Sequence, residues 1–249
     1  MFDLNFAIKS IPQLLAAVPM TLFLTAIGIV FSTIFGLFIA LCRIYKVPVL
    51  GKLGSLYLLI IRGIPLMVQL YFVFVALPIW AQMIADQMGF DTIISPSPVL
   101  IASLALTFNY TAYMSEVIRS ALMAVDFGQM EAAHSIGMTS TQAMIRVIIP
   151  QAVVVALPNI GNTFISLVKD TSLAYMVMVM DIMGTAKKVA GSGLNFLETY
   201  AVAALIYWGL NVILERIFAR LEKKANHFNA KTAPVAKNDD AAAPQAAQS

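Results

Sequence analysis

The stretch that decides how this chain is built is a polar heptapeptide: Glu131-Ala132-Ala133-His134-Ser135-Ile136-Gly137. It lies between two long apolar segments, and Pro150 follows thirteen residues after Gly137. The pattern predicts a short helix with the small residues Ala132 and Ala133 on its surface, ended by a glycine that lets the chain turn back toward a bilayer. Small side chains let another protein's backbone come close, so the loop predicts a docking site for a soluble partner.

The composition places the chain in a membrane. Of its 249 residues, 60% are hydrophobic and only 12% are charged, and the mean hydropathy is strongly positive. A soluble domain of this size could not hide so much apolar surface, so lipid is the expected solvent. The net charge of +3 is not gathered in one patch and gives no reason to expect nucleic acid as a partner.

Metal, disulfide and catalytic chemistry are not expected. Cys42 is the only cysteine in the sequence, and the two histidines, His134 and His227, are far apart. The sequence contains no glycine-rich phosphate loop, no metal-ligand spacing and no Ser-His-Asp set. We therefore expect no cofactor, no catalytic residue and no ATP hydrolysis by this chain itself.

Apolar segments without a charged residue predict five membrane-spanning helices, at residues 20–41, 64–80, 99–115, 147–168 and 199–214. A sixth segment, 172–184, is too short to span and contains Asp181. It predicts a re-entrant or interfacial helix buried against protein. The N-terminus has no basic leader and no small-residue cleavage site, so we expect the first span to be retained.

The distribution of basic residues predicts the orientation of these spans. The segment 42–63 has four bases and no acid, and 216–224 is also basic, whereas 81–98 contains Asp86 and Asp91 and no base. With five spans, the two basic segments and the docking loop lie on one side. Positive residues favour the cytoplasmic side, so the C-terminus is expected inside and the N-terminus outside. Lys187 and Lys188 fall on the outer side, against this trend.

One membrane domain, residues 1–228, is the simplest organisation. From residue 229 to 249 the composition is rich in Ala, Lys, Pro, Asp and Gln. Such a segment cannot bury a core, so we predict a disordered cytoplasmic tail.

A stripe of polar residues in the fourth predicted span is the first candidate for a substrate path. Asn159, Asn162, Thr163 and Ser166 are spaced i, i+3, i+4 and i+7 and share one helix face, which residues 169–170 (Lys169 and Asp170) extend. Amides and hydroxyls can bind both the ammonium and the carboxylate of an amino acid without a fixed charge. The alternative is that these groups tie neighbouring helices together.

The second and third predicted spans contribute further polar candidates. Asn109, Tyr113 and Glu116 recur at i, i+4 and i+7, and Glu116 can pair with Arg119 at the membrane edge. Gln69 is the only amide of the second span. It is expected either to hydrogen-bond across a dimer or to line the path.

Other residues near these spans have structural interpretations. Pro65 should kink or start the second span, and the Arg62-Gly63 pair before it is expected to be structural. Ionisable groups at membrane depth are functional candidates, but an outer, solvated rim is an equal alternative for the three acids concerned. These acids are Asp170, Asp181 and Glu198.

The docking loop resembles a known family signature. Glu-Ala-Ala, three residues, Gly, nine residues, an aliphatic, one residue, an aliphatic and Pro is the pattern of permease subunits of binding-protein-dependent ABC importers. Here it reads Glu131-Ala132-Ala133, Gly137, Val147, Ile149 and Pro150. Valine and isoleucine replace the usual isoleucine and leucine, and the spacing is complete. The resemblance covers roughly residues 12–225.

Within that family the chain is similar to the polar amino-acid permeases of the histidine, glutamine and cystine type. The similarity rests on residues 61–66, on Tyr113 with Glu116 and Arg119, and on 164–173, the segment closest to cystine permeases. Isoleucine stands at 64, where the family often has threonine.

This resemblance implies a type I importer fold with five spans and a cytoplasmic coupling helix, in the plasma membrane of a bacterium. It implies a second permease subunit, identical or different, cytoplasmic ATP-binding subunits and an extracytoplasmic amino-acid-binding protein. Glu131, Ala132, Ala133 and Gly137 would couple ATP hydrolysis to alternating access. A cystine-like substrate is implied first, with glutamine or basic amino acids next.

Two other functional classes fit the residues less well. An ion-coupled secondary transporter would be expected to show an inverted repeat, and none is visible. An intramembrane hydrolase would need a nucleophile with a base, and no such pair is found.

Overall fold

The computed structural model describes residues 2–90 and 92–232, and all regular structure within them is helical. A π-helical turn, Met144–Ile148, precedes α8, and a 3-10 helix, Thr171–Val177, follows it. The helices in chain order are α1 Leu4–Leu15, α2 Val18–Ile44, α3 Leu50–Gly63, α4 Leu66–Gln87, α5 Pro98–Met123, α6 Phe127–Ser135, α7 Ser140–Ala143, α8 Ile149–Asp170, α9 Ile182–Gly193 and α10 Phe196–Thr232.

The all-helical membrane class predicted from composition is confirmed. Among the described residues, four helical stretches are long and apolar enough to cross a bilayer: α2, α4, the continuous run Ser140–Val177 that contains α8, and α10. These contain the first, fourth and fifth predicted spans, and the second except for residues 64–65. The third predicted span, 99–115, lies in the N-terminal part of α5, which has 26 residues but is not in this apolar set.

Helix α5 is less apolar because it is the buried centre of the fold. It packs against α2, α3, α4 and α8, and half of its residues are buried, including Ala105, Leu106 and Met114. Leu24, Leu70 and Leu167 from three surrounding helices complete this core. A helix that contacts mostly protein does not need a lipophilic surface, so Asn, Thr, Ser and Tyr are tolerated along it.

Segment 42–63, predicted as a basic loop, is mostly the helix α3, so that prediction was wrong. The Tyr57 hydroxyl donates a hydrogen bond to the carbonyl of Phe108, close to the middle of α5. Chain continuity then carries α3 to a break at Ile64 and Pro65, after which α4 begins. Pro65 therefore starts a helix as predicted, but Arg62 lies beside the centre of α5 rather than in a surface loop.

The sixth predicted segment, 172–184, is not a single helix. It consists of the 3-10 helix, a turn in which Met178 has φ +68°, and the first residues of α9. Ala174, Val177 and Ile182 are fully buried, so the predicted burial against protein is confirmed.

The acids Asp181 and Glu198 are buried, which contradicts a solvated rim position for either. Asp181 caps α9 by accepting from the Gly184 amide at 2.8 Å and also accepts from the Tyr207 hydroxyl at 2.9 Å. Burial raises the pKa of the Asp181 carboxyl, and these two hydrogen bonds partly offset that rise. Glu198 accepts from the backbone amide of Asp3 at 2.8 Å and so ties α10 to the start of α1.

The short helix α1 escaped prediction because it is amphipathic and too brief to span. Ala7, Ser10 and Leu14 face the protein, and the Asp3 side chain caps the first turn. At the other end of the chain, α10 continues to Thr232, and the rest of the predicted tail, 233–249, lies outside the described residues.

A glycine sets the closest approach between α2 and α5. A Cβ on Gly36 would lie 2.9 Å from the Ser115 amide nitrogen and 3.1 Å from the Met114 carbonyl carbon. We predict that Gly36→Ala destabilises the protein, because helix backbone cannot move aside as a flexible side chain can. Overpacking costs about 1–3 kcal/mol, which lowers the melting temperature of a chain this long by several degrees.

Thermal unfolding of the purified protein measures this effect, with Gly209→Ala in α10 as the matched control. A Cβ on Gly209 meets nothing within 4 Å, and alanine has the higher helix propensity. The control should therefore keep or raise the melting temperature. Equal melting temperatures for the two variants would contradict the close approach.

Candidate functional site

A cavity of ≈ 690 Å³ lies between the α3–α4 break, α5 and α8. Its size is in the range of small-molecule sites. Six of the seven residues predicted to form a substrate path line it: Asn109, Asn159, Asn162, Thr163, Ser166 and Asp170. The seventh, Gln69, lies behind the wall, is 8% exposed and accepts a hydrogen bond from Asn109 Nδ2 at 3.2 Å.

Charged groups also line the cavity: Lys169 and Asp170, which extend the polar stripe as predicted, and Arg62, which was not predicted there. Arg62 and Lys169 contribute two cations, and Asp170 contributes one carboxylate that accepts from the Tyr110 hydroxyl at 2.7 Å. The Arg62 guanidinium lies 5.6 Å from the centre of the Tyr113 ring. Within the described residues neither cation forms a salt bridge. Arg62 and Gly63, which were expected to be structural rather than substrate-binding, are both part of the cavity wall.

The polar stripe of α8 is directed at this space. Asn159 and Asn162 are exposed, and neither side-chain amide hydrogen-bonds to another helix in the described part of the chain. The Thr163 hydroxyl donates to the Asn159 carbonyl at 2.7 Å, within its own helix. The stripe thus does not tie together the helices described here, and its amides face a cavity.

An ionic cluster lies where α2 and α5 approach their C-terminal ends. Glu116 accepts from Arg119 at 3.0 Å, as predicted from the i, i+3 spacing, and also from Arg43 Nη1 of α2. Arg43 Nε donates in addition to the Ser55 hydroxyl of α3 at 3.2 Å. The cluster joins three helices, and Val117, the next residue of α5, is part of the cavity wall.

The predicted docking loop contains the short helix α6. Asp126 caps its first turn by accepting from the Gly128 amide at 2.9 Å. At the other end the Gly137 amide donates to the His134 carbonyl at 2.9 Å and the Met138 amide to the Ala133 carbonyl at 3.1 Å. This is a Schellman motif, and Gly137 adopts the φ of +82° that the motif requires.

The surface of α6 differs from the prediction at one position. Glu131 and Ala132 are exposed as expected, but Ala133 is only 4% exposed and faces the protein. A large apolar side chain, Ile136, is instead 79% exposed at the end of the helix. The sequence pattern could not reveal this, because a two-turn helix gives too few residues to decide which face packs inward.

The loop is fixed to the two helices that it connects. Val125, Ile148 and Ala152 form a small buried cluster between the end of α5, the π-helical turn and the start of α8. Thr139 and Gln142 form a reciprocal capping box at α7. From α7 the chain continues through the π-helical turn into α8 without a break, and Pro150 stands in the first turn of α8.

Comparison with known proteins identifies the family. Residues 32–227 match the family described as "Binding-protein-dependent transport system inner membrane component". The chain belongs to this family. It is 42% identical over 225 residues to the "Probable amino-acid ABC transporter permease protein PatM" of Vibrio harveyi, covering 90% of this chain and 97% of that one. It is 39% identical over 224 residues to the "L-cystine transport system permease protein TcyL" of Bacillus subtilis (strain 168), covering 90% and 91%.

Solved structures agree with this assignment. A chain in a crystal structure of an amino acid ABC transporter with histidines is 31% identical to this chain and superimposes with a TM-score of 0.77, covering 90% of this chain and 99% of that one. A chain of the MetNI methionine ABC transporter in an inward-facing conformation is 20% identical, covers 87% and 98% with a TM-score of 0.68, and shows the shared fold.

The chain is therefore a permease subunit of an amino-acid ABC importer, and it is a multi-pass inner membrane protein. The polar amino-acid branch suggested by its motifs is confirmed. In a binding-protein-dependent system of this kind, a separate subunit hydrolyses ATP and a binding protein delivers the substrate. Family membership thus rules against the ion-coupled transporter considered from sequence.

Proposed function

We propose that the cavity holds a polar α-amino acid during transport. Arg62 and Lys169 receive the α-carboxylate, and Asp170 with the amide oxygens of the α8 stripe receives the α-ammonium. The observation that carries this proposal is a pair of cations beside a cavity in a membrane protein, neither of which forms a salt bridge with any described residue. Such charges need a partner or water, and the carboxylate of a ligand is a partner of opposite charge.

The substrate class is a polar amino acid, with a cystine-like molecule first and glutamine or a basic amino acid next. Relatives named as L-cystine transport system permeases are 39% and 36% identical to this chain, and one named as a probable glutamine permease is also 36% identical. The cavity volume of ≈ 690 Å³ supports a substrate with an extended side chain.

Transport proceeds by alternating access in a dimer of permease subunits, identical or different. ATP draws two cytoplasmic ATPase subunits together, and each holds one coupling helix. The coupling helix is α6 together with the Schellman motif at Gly137 that ends it. The movement turns the cavity outward to accept an amino acid from the binding protein, and ATP hydrolysis returns it inward. The exposure of Glu131, Ala132 and Ile136 supports this docking role.

Helix α5, the third span in chain order, brings the number of spans in this topology to five, with the N-terminus outside and the C-terminus in the cytoplasm. Although Arg62 lies in the cavity wall and no longer counts toward the orientation, Arg43, Lys46 and Lys52 remain on the inner side, and segment 42–63 contains no acid. The basic residues near the C-terminal end of α10 support the same orientation.

The cavity site is tested with Asn162→Leu and Lys169→Gln in the complex with its ATPase. Asn162→Leu should weaken amino-acid binding several-fold, because one lost hydrogen bond in a partly wet site is worth about 1 kcal/mol. Lys169→Gln should weaken it by about tenfold or more, because a carboxylate loses a charged partner worth about 1.5–3 kcal/mol. Equilibrium dialysis of radiolabelled L-cystine, L-glutamine and L-arginine measures the dissociation constants.

Val155→Leu is the matched control for the cavity variants. Val155 is an exposed residue of α8 that is not part of the cavity wall, so this change should leave binding unaltered. Co-purification of the ATPase subunit shows whether each complex is intact. Intact Asn162 and Lys169 variants with unchanged dissociation constants would refute the cavity as the substrate site.

The coupling role is tested by Gly137→Asp, with Gly89→Asp as its control. Both glycines have positive φ, +82° and +75°, and an added Cβ at either meets nothing within 4 Å, so the backbone strain is matched. Only Gly137 lies in the loop that docks on the ATPase. We expect Gly137→Asp to abolish substrate-stimulated ATP hydrolysis and uptake in proteoliposomes, and Gly89→Asp to retain them. Equal activity of the two variants would overturn the coupling assignment.

The orientation is tested by cysteine labelling in a Cys42→Ser background. Asp86 and Thr141 are both exposed, at the end of α4 and in α7. An impermeant thiol reagent added to intact cells should label Asp86→Cys. It should label Thr141→Cys only after the cytoplasmic face is opened. The reverse pattern would invert the topology.

A further inference from the structure

The break between α3 and α4 leaves carbonyl groups that the two helices cannot satisfy. In a continuous helix the amide of residue 65 would donate to the carbonyl of Ile61, but Pro65 has no amide hydrogen. The side chain of Gln69 takes over this role. Its Nε2 donates to the Ile61 carbonyl and to the Ile64 carbonyl, each at 2.8 Å.

The amide of Gln69 is fully used by these contacts. A primary amide has two N–H donors, and both are directed at backbone carbonyls of the break. Its Oε1 accepts from Asn109 Nδ2 at 3.2 Å. Gln69 is only 8% exposed and is not part of the cavity wall. It has no donor left to offer to a ligand, although the sequence had placed it in the substrate path.

Gln69 instead holds two separate parts of the cavity wall in register. Arg62 and Gly63 lie between Ile61 and Ile64, the two residues whose carbonyls it binds, and all of residues 62–66 line the cavity. Asn109 lines it from α5. Asn109 Nδ2 donates one of its two N–H groups to Gln69, and this bond orients the amide whose Oδ1 can accept from the ammonium of a ligand.

We infer that Gln69 is a positioning residue, which fixes the Arg62 backbone and the Asn109 amide for amino-acid binding without touching the substrate. The inference rests on the proposed function of the cavity. Substrate affinity would then depend on a side chain behind the cavity wall. At the helix break, the Gln69 side-chain amide, and not a backbone amide, donates to the free carbonyls of Ile61 and Ile64.

The test compares Gln69→Leu with Gln82→Leu in the complex with the ATPase. Gln82 is on the same helix and is also bonded at three points: its Nε2 donates to Asp86 and to the Thr92 carbonyl, and its Oε1 accepts from the Ile94 amide. It is not part of the cavity wall. Both variants should lower the melting temperature, since each removes a hydrogen-bonding amide. Only Gln69→Leu should raise the amino-acid dissociation constant, by about tenfold.

Three further measurements make the outcome decisive. Gln69→Asn keeps an amide but is one methylene shorter, so it cannot reach both carbonyls and Asn109 together. It should fold and bind several-fold more weakly, and it decides the matter where Gln69→Leu does not assemble. Asn109→Leu should also weaken binding. The double variant Gln69→Leu with Asn109→Leu should lose less binding free energy than the two single variants together, because both changes break the same Gln69–Asn109 hydrogen bond.

The probe is whichever of radiolabelled L-cystine, L-glutamine and L-arginine the unmodified complex binds, measured by equilibrium dialysis. An unchanged dissociation constant in an assembled Gln69→Asn or Gln69→Leu complex overturns the positioning role. Equal weakening by Gln82→Leu also overturns it, because a general loss of stability would then explain the effect. Lys169→Gln separates the two levels: binding unaffected by Lys169→Gln refutes the cavity site itself, whereas binding affected by Lys169→Gln but not by the Gln69 variants refutes only the inference.

Discussion

A helix that stops beside the centre of a membrane protein leaves carbonyl groups that cannot hydrogen-bond to lipid. The residues around the α3–α4 break provide the hydrogen bonds that these carbonyl groups need. Proline begins α4 and removes an amide, and the Gln69 side chain supplies the missing hydrogen-bond donors. The buried α5 lies against the break and provides Asn109 as the next partner. Without such closure, each unsatisfied carbonyl would destabilise the protein by about 1–3 kcal/mol. The break can therefore persist, and Arg62, at the end of α3 beside it, lines the cavity.

The Glu116 cluster and the charged residues of the cavity wall differ in how their charges are paired. Toward the C-terminal end of α5, the Glu116 carboxylate accepts from both Arg43 and Arg119. With the bond from Arg43 to Ser55, this cluster holds three helices together. In the cavity wall, two cations face one carboxylate that already accepts from a tyrosine hydroxyl. In the first group both cations form salt bridges, whereas in the second neither cation does so with a described residue. This contrast is why we propose the second group, and not the first, as part of the ligand site.

The sequence predicted features that depend on local geometry and missed those that depend on distant contacts. The four polar residues of the α8 stripe share a face because helical periodicity is local, and they do lie in one cavity wall. Arg62 was misplaced because the depth of α3 depends on its packing against α5. Ala133 was assigned to the wrong face because the neighbours of a two-turn helix are set by other helices. Asp181 and Glu198 were expected at a rim with equal weight, yet both are buried, and Glu198 is bonded to Asp3 from the other end of the chain.

The loop and the cavity are mechanically continuous in this fold. Helix α5 runs ten residues from Tyr113 in the cavity wall to its end at Met123, and α8 runs ten residues from Ile149 to Asn159, about 15 Å in each case. A buried cluster clamps the two helix ends together where α6 is attached. The α3–α4 wall is outside this unit and is joined to it by side-chain contacts such as the hydrogen bond between Gln69 and Asn109. In the proposed mechanism, force applied at α6 moves α5 and α8 together relative to the α3–α4 wall, and this movement opens the cavity. The coupling of ATP hydrolysis to substrate release then depends on how firmly these polar contacts, and the apolar core that α4 shares with α5, hold the two parts together.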